Sequence, residues 1–196
     1  MNINVLTLTL IATLGLAACD SQPQTSVAPN STASEATSSA SAATPNTPAA
    51  ETQVLNSRDD AVSISVKGQF QDQSSNADLL PEGSKADDIS LLQQDAVSGI
   101  TIYVENLGKP SKPAKDYYAL LKQQLEKATG LSELKVGIAT ENRMDYSFTQ
   151  ENGFKENCIA IYSPNNLYNV CANSQTASNA DLAEVLKDVK LLKPIQ

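Results

Sequence analysis

The chain has 196 residues, a formal net charge of −8 at pH 7 and no histidine. The missing histidine excludes Ser-His and Cys-His nucleophilic sites and zinc sites that contain histidine. The acidic charge argues against binding to nucleic acid and against docking onto anionic lipid by charge.

The first feature along the chain is an uncharged, mostly apolar run from Ile3 to Ala18, followed directly by Cys19. It is shorter than the about 20 apolar residues that a membrane-spanning helix needs. It fits the apolar core of a signal peptide, and Leu16-Ala17-Ala18-Cys19 is typical of a bacterial lipobox. We therefore predict that residues 1–18 are a lipoprotein signal peptide and that Cys19 carries the lipid. An uncleaved anchor, or secretion with an unmodified Cys19, is the alternative, and Met1-Asn2-Ile3-Asn4 lacks the usual Lys or Arg.

Asp20 follows the predicted lipidation site directly. Resemblance to the lipoproteins of enteric bacteria implies that an aspartate here retains the protein in the inner membrane, a rule that depends on lineage. The protein is therefore expected in the cell envelope, lipid-anchored and facing the periplasm, with the inner membrane favoured over the outer.

Residues 19–53 are predicted to be a lipidated, disordered tether. The stretch is dominated by Ser, Thr, Ala, Pro, Asn and Gln, without aromatic residues or glycine, and its charges are Asp20, Glu35 and Glu51. Such a segment buries too little apolar surface to offset its conformational entropy. As a random coil it would span about 30–35 Å root-mean-square. An O-glycosylated stalk is the alternative for a Ser/Thr-rich segment with prolines.

Residues 54–196 are predicted to form a single globular domain, long enough for a hydrophobic core. Alternation of Val62, Ile64 and Val66 with polar residues predicts a strand. A polar loop from Gln71 to Asp88 is expected next. Two paired strands then follow, at Ile89–Gln94 and Ile100–Glu105.

A first helix is predicted after Ser111 as its cap and Pro113 in its first turn, with Gly130 ending it. Its apolar stripe is Ala114, Tyr118, Leu121, Leu125 and Ala128. Two strands should follow, with inward residues Leu134, Val136 and Ile138, then Met144, Tyr146 and Phe148.

The last helix is predicted to begin at Ser178 with Asp181 as its capping-box partner. Its buried face is predicted to be Leu182, Val185, Leu186 and Val189, and Pro194 prevents continuation. The order of strands, helix, strands and helix predicts an α+β domain, an antiparallel sheet flanked by helices.

Cys158 and Cys171 lie on two β-rich runs that flank Ser163-Pro164-Asn165-Asn166. A hairpin centred on Pro164-Asn165 places the two cysteines directly opposite each other, at a distance that a disulfide tolerates. With Cys19 lipidated, two thiols remain in an oxidising compartment, so we predict a structural Cys158–Cys171 disulfide. A redox couple is the alternative, although Cys-x-x-Cys is missing. A one-residue slip of the turn would instead place Cys158 opposite Asn173.

Other candidate sites are weaker. Asp72, Ser74, Asn76 and Asp78 alternate as calcium ligands do, but the required glycine and glutamate are replaced by Ala77 and Gly83, so a solvated loop is preferred. The pairs Asp59-Asp60 and Asp87-Asp88 fit loop capping better than acid–base catalysis. The six tyrosines fit core packing better than a sugar-stacking surface. We predict no catalytic residue and no metal site.

Several features occur in a characteristic order: Leu16-Ala17-Ala18-Cys19-Asp20, the Ser/Ala/Thr-rich tether, a strand near Val62–Phe70, and helices near Lys112–Thr129 and Ala180–Val189. Together they resemble the DcrB-like periplasmic lipoproteins, which belong with the PsbP-like α/β/α sandwiches. The resemblance implies no catalytic residues and no cofactor. It also implies a partner-binding role, because members are linked to envelope uptake or phage adsorption and to envelope maintenance. The Cys158–Cys171 pair is not carried over from the family.

The leading functional hypothesis is a non-catalytic, membrane-anchored lipoprotein that binds an envelope protein partner or maintains the envelope. The alternative is a periplasmic carrier for a small ligand or metal, held between sheet and helices. An enzyme that uses carboxylates alone is the third hypothesis.

The lipid anchor at Cys19 can be tested in cells that make the protein. An inhibitor of lipoprotein signal peptidase should cause an unprocessed, slower-migrating precursor to accumulate, because cleavage before Cys19 follows lipidation. Cys19→Ser should accumulate an uncleaved precursor without inhibitor, one that also lacks the lipid because the thiol is missing. Unchanged electrophoretic mobility in both cases would contradict the anchor.

Overall fold

The computed structural model describes residues 51–192. The predicted signal peptide, Cys19, Asp20 and the tether before Glu51 lie outside the described residues, as does Pro194. No helix within the described part of the chain is long and apolar enough to cross a membrane.

Ten strands, two α-helices and a short 3₁₀ turn make up residues 51–192. In chain order they are β1 (Thr52–Asn56), β2 (Val62–Lys67), β3 (Phe70–Asp72), the 3₁₀ turn (Ala77–Leu79), β4 (Ile89–Asp95), β5 (Ile100–Gly108), α1 (Ala114–Lys127), β6 (Leu131–Val136), β7 (Arg143–Gln150), β8 (Lys155–Tyr162), β9 (Leu167–Ser174), α2 (Asn179–Val185) and β10 (Val189–Leu191).

The strands form two antiparallel sheets. The large sheet has the order β3-β4-β5-β9-β8-β7-β6, and the small sheet has the order β1-β2-β10. All pairings between neighbours are antiparallel. The predicted α+β class, an antiparallel sheet flanked by helices, is confirmed.

Each face of the large sheet is covered by a different layer, because side chains alternate between the faces along every strand. We call the side covered by α1 the α1 face. Its buried residues are Ile89, Leu92, Tyr103, Met144, Tyr146, Cys158, Ala160 and Cys171, with Tyr118 of α1 packed onto them. We call the opposite side the α2 face. There, Leu182 and Leu186 and the small sheet pack onto residues such as Ile102, Ile159 and Val170.

The N-terminal cap was predicted correctly for α2 but not for α1. At α2, the Ser178 side chain accepts from the Asp181 backbone N–H, and the Asp181 side chain accepts from Ser178, so the predicted capping box is confirmed. At α1 the prediction of Ser111 as cap is wrong. Pro113 is the N-cap residue and no side chain caps this end. The carbonyl of Pro113 accepts from Asp116 and Tyr117, so the helix begins too late for Ser111 to reach it.

Other differences from the predicted elements are confined to short segments. Strand β1 begins at Thr52, two residues before the predicted start of the domain, and β3 lies partly in the predicted loop. Val189 begins β10 instead of extending the last helix, because β10 pairs with β2. Ile138 lies beyond β6 and is 95% exposed. Ala128 caps the C-terminus of α1 and is exposed.

Candidate functional site

The two cysteines lie where the hairpin register places them. Cys158 pairs with Cys171, Ile159 with Val170 and Ile161 with Tyr168, as predicted. The cysteine sulfurs form a disulfide, with the Cα atoms 4.1 Å apart. Both cysteines are buried beneath α1, at 2% and 0% exposure. Thiol–disulfide exchange requires access to a sulfur, so this position favours the structural role over the redox couple.

A buried carboxyl group lies beside the disulfide. Glu156 is 7% exposed. The Tyr103 hydroxyl donates a hydrogen bond to its Oε1, and Gln150 Nε2 donates to its Oε2 over 3.3 Å. Cys158 Sγ lies 3.4 Å from Oε1. Both carboxyl oxygens therefore contact groups of the protein itself.

Burial dominates the proton affinities in this cluster. Desolvation raises the pKa of Glu156 above its ordinary value of 4.5, while the hydrogen bond from Tyr103 opposes the rise. Desolvation, followed by the charge of Glu156, raises the pKa of Tyr103 well above 10.0. The same two causes raise the pKa of Tyr146, whose hydroxyl donates to Asn169 Oδ1 over 2.9 Å. The cluster is suited to holding the sheet together, because its polar groups are satisfied by one another.

Sequence reasoning missed Glu156, although the hairpin pattern contains the signal. Residues 156, 158 and 160 alternate with Ile159 and Ile161, so Glu156 must lie on the same buried face as Cys158. Glu156, Cys158 and Cys171 bring their oxygen and sulfur atoms within 4.8 Å of one another. Cysteine ligates a metal as its thiolate, and both sulfurs belong to the disulfide. Only the Glu156 carboxyl group remains as a ligand, so this set does not fit a metal ion.

The weaker sequence candidates lie in loops or in the core. The Asp72 carboxylate accepts from the Ser74 backbone N–H over 3.0 Å, and Asn76 caps the 3₁₀ turn by accepting from Asp78 over 3.1 Å. These bonds favour the solvated-loop interpretation. Asp59 accepts from Ser57 Oγ over 2.6 Å.

The tyrosines contribute mainly to the core. Tyr103, Tyr118, Tyr146 and Tyr168 are at most 9% exposed. Tyr117 contacts the rings of Tyr118 and Tyr162. This arrangement supports the core-packing interpretation over an exposed stacking surface.

A cleft opens on the α2 face, between α2 and the β6–β7 side of the large sheet. We call it the α2 cleft. Its cavity is about 290 Å³. Three basic residues line it, Lys135, Arg143 and Lys187, and an apolar part is formed by Ile159, Ala183 and Leu186. Asp145, Ser147 and Asn157 also line it.

The pleat of the sheet explains why these residues meet. Lys135 pairs with Ser147, and Ser147 with Asn157, so one row across three strands faces the cleft. The next row pairs Asp145 with Ile159. The seven-residue helix α2 packs on β8 and β9. Because it is so short, it leaves the neighbouring part of β6 and β7 uncovered.

The charges of the α2 cleft are unequally neutralised. Arg143 forms a two-pronged ion pair with Asp145, at 2.7 Å from Nε to Oδ1 and 3.3 Å from Nη2 to Oδ2. Lys187 lies 3.5 Å from Glu184, and both side chains are mostly exposed. Lys135 makes no ion pair among residues 51–192. The cleft therefore retains positive charge.

Asn157 is a second unusual feature of the α2 cleft. It is 9% exposed, and its Nδ2 donates to the backbone carbonyl of Asn179 over 2.9 Å. That bond identifies the other amide atom as Oδ1, which is buried without a partner among the described residues. An unsatisfied buried acceptor costs about 1–3 kcal/mol, so such a group is rarely retained without a reason.

A larger cleft of about 490 Å³ lies between the small sheet, the β4–β5 turn and α2. Its lining includes Asp181, Glu184 and Asp188 with Lys67. Asp181 is occupied by the capping box and Glu184 by Lys187. Two of the three acidic groups of this cleft therefore have structural partners. We favour the α2 cleft as the candidate site because it combines an excess of basic groups with a buried amide oxygen that has no partner among the described residues.

No protein-family model matches the chain, and no curated protein matches it. Among solved structures, the chain is similar to the solution structure of cyanobacterial PsbP (CyanoP) from Synechocystis sp. PCC 6803. The identity is 10% and the TM-score is 0.45, over 76% of this chain and 97% of the other. A likeness of this strength does not show a family, so membership of the DcrB-like proteins stays a prediction.

The disulfide is expected to stabilise the domain substantially. Replacing both Cys158 and Cys171 by alanine should lower the free energy of unfolding by about 3 kcal/mol, because the unfolded chain loses a cross-link that closes a short loop. Urea unfolding, with and without reductant, measures the change. Reductant should destabilise the unmodified protein and leave the double variant unchanged. Two alkylatable thiols in the non-reduced protein would contradict the bond.

Glu156 is expected to make stability fall as pH rises. Its folded-state pKa lies above 4.5, so its favourable contribution is complete below that pH and is lost as pH rises through the folded-state value. Glu156→Gln should therefore match the unmodified protein at acidic pH and be more stable at neutral pH. Thermal unfolding across this pH range tests it, with exposed Glu126→Gln as the control. Parallel stability curves for Glu156→Gln and the unmodified protein would rule out this role.

Proposed function

We propose that the protein is a non-catalytic binding domain that a lipid on Cys19 holds at the envelope membrane, facing the periplasm. The observation that carries the proposal is the α2 cleft, a concave site with an apolar part and a few convergent polar groups. This combination is typical of small-ligand sites.

The sequence supports the membrane attachment. Leu16-Ala17-Ala18-Cys19 fits the lipobox pattern, and Asp20 favours inner-membrane retention. The predicted tether of residues 19–53 would let the domain reach partners or ligands well above the headgroups.

The described domain also uses its reactive groups for structure. Cys158 and Cys171 form a buried disulfide, and Glu156 is held by Tyr103 and Gln150. Cys158 and Cys171 are buried in the packed core of the α1 face, although Cys158 also borders the α2 cleft. Their arrangement supports a binding role better than a catalytic one.

A protein partner is the second candidate, and Ile138 favours it. This residue follows Gly137 of the cleft lining and is 95% exposed. Partner binding by strand addition is disfavoured at β6, where the pairing is irregular between Ser132 and Lys135 and Glu133 has a φ of 53°. Bulges and lysines on edge strands hinder further pairing. A partner would therefore contact side chains and loops around Ile138.

Strand addition is also disfavoured where the edge strand β1 of the small sheet lies beside the edge strand β3 of the large sheet. The Gln53 side chain donates to the Phe70 carbonyl over 3.2 Å and accepts from the Phe70 backbone N–H over 2.7 Å. These two hydrogen bonds join β1, an edge strand of the small sheet, to β3, an edge strand of the large sheet. The backbone groups of Phe70 are therefore bonded within the domain and are not available to a partner strand.

Filling the α2 cleft tests the binding role. Ala183 is exposed on α2 and lines the cleft, so Ala183→Trp should occupy the cavity without entering the core. In a thermal-shift screen of small organic acids, amines and alcohols, compounds that raise the melting temperature should lose their effect in this variant. Ala180→Trp, on the same helix but outside the cleft lining, is the matched control.

A photo-crosslinking amino acid at Ile138 separates the two candidates in intact cells. Reproducible capture of one envelope protein, without any compound that depends on the cleft, would favour the protein partner. If no envelope protein is captured and no compound stabilises the protein through the cleft, the proposed function is overturned.

A further inference from the structure

We propose that the α2 cleft binds a small organic anion, with a carboxylate or phosphate group on a short apolar body. The inference rests on the proposed function and specifies the chemistry of its ligand. It is carried by the charge, the apolar part and the buried amide of this one cleft.

The first argument is the contrast of charge between the cleft and the rest of the domain. Residues 54–196 contain all 14 basic and 19 of the 22 acidic residues, which gives a net charge of about −5. Three basic side chains nevertheless meet in the α2 cleft, against Asp145 in the lining and Glu184 at its margin. A cleft with an excess of one sign of charge concentrates the oppositely charged ligand.

The Arg143–Asp145 pair orients one of these basic groups. Asp145 accepts from Nε and Nη2 of Arg143. A guanidinium has five N–H donors, so others remain available to a ligand. The planar fork suits the two oxygens of a carboxylate or phosphate. Lys135 and Lys187, which approach from β6 and from the end of α2, can contact the same group as point charges.

The apolar part of the lining restricts what carries the anion. Ile159, Ala183 and Leu186 give the cleft a hydrocarbon surface, which inorganic phosphate alone would leave uncovered. The cavity of about 290 Å³ lies near the lower end of the range of about 300–1,000 Å³ for ligand pockets. The ligand is therefore small, with a short apolar body.

Asn157 indicates that the ligand also carries a hydrogen-bond donor. Its Oδ1 is an acceptor without a partner among the described residues, within a side chain that lines the cleft. A hydroxyl or amide N–H on the ligand would satisfy it and remove the cost of the unpaired oxygen. An anion that also carries such a donor should bind more tightly than one without it.

The test uses the full-length protein in nanodiscs of zwitterionic lipid and four probes: hexanoate, 2-hydroxyhexanoate, hexanol and hexylamine. Binding is followed by NMR shifts of backbone amides in residues 135–147 and 183–187. Hexanoate should bind more tightly than hexanol, and hexylamine should not compete. The double variant Lys135→Gln/Lys187→Gln should bind hexanoate about tenfold more weakly, as expected for the loss of two partly exposed ion pairs. Lys122→Gln, on α1, is the matched control.

The outcomes separate the inference from the function on which it rests. If hexanoate and hexanol bind equally and the lysine variants change neither, the inference that the ligand is an anion is overturned. The proposal that the cleft binds a small ligand would still stand. No shift at these amides with any probe would overturn both. Tighter binding of 2-hydroxyhexanoate would support the role of Asn157. Shifts of the same amides in nanodiscs with phosphatidylglycerol, lost in the lysine variant, would support the anion site and identify a lipid headgroup as its source.

Discussion

The pairing of β8 with β9 is the constraint on which both faces of the large sheet depend. In the observed register, Cys158 and Ala160 point into the core beneath α1, while Ile159 and Ile161 point into the core beneath α2 and the small sheet. A shift by one residue would exchange these two sets and place Glu156 in the opposite layer. The disulfide joins two cysteines that are directly opposite each other only in this register, so it stabilises the register as well as the fold.

The two faces then differ in how completely they are covered. On the α1 face, the polar groups of Tyr103, Gln150 and Glu156 bond to one another within the packed layer. On the α2 face, the short helix reaches β8 and β9 but leaves part of β6 and β7 open. The candidate site therefore lies where the covering layer ends. A longer α2 would close the cleft, but the chain turns at Leu186 and returns as β10 to pair with β2.

Predictions from local sequence succeeded where the deciding contacts are close in the chain. The β4–β5 pair, the capping box of Ser178 and the cysteine hairpin each depend on neighbours within about 15 residues, and all three are present. The Ser111 cap is a local error, because α1 begins only after Pro113. Two further errors occurred where the local pattern did not decide the outcome. Val189 has helical spacing from Leu182, but pairing with Ile64 makes it a strand residue. Ile138 continues an alternating pattern, but the chain leaves the sheet after Val136.

The sequence by itself predicted the α+β class and a hairpin that places the two cysteines opposite each other, because periodicity and turn geometry act over short chain distances. The structure excludes the one-residue slip of the turn that the sequence left open. Its lipobox also predicts attachment to a membrane, a property for which the folded domain gives no separate signal. Only the tertiary structure decided which charges converge. Lys135, Asn157 and Lys187 are unremarkable in the sequence, and they meet because three strands align in one row and a helix from the end of the chain stops beside it. Such convergence depends on contacts between distant segments, which local patterns do not specify.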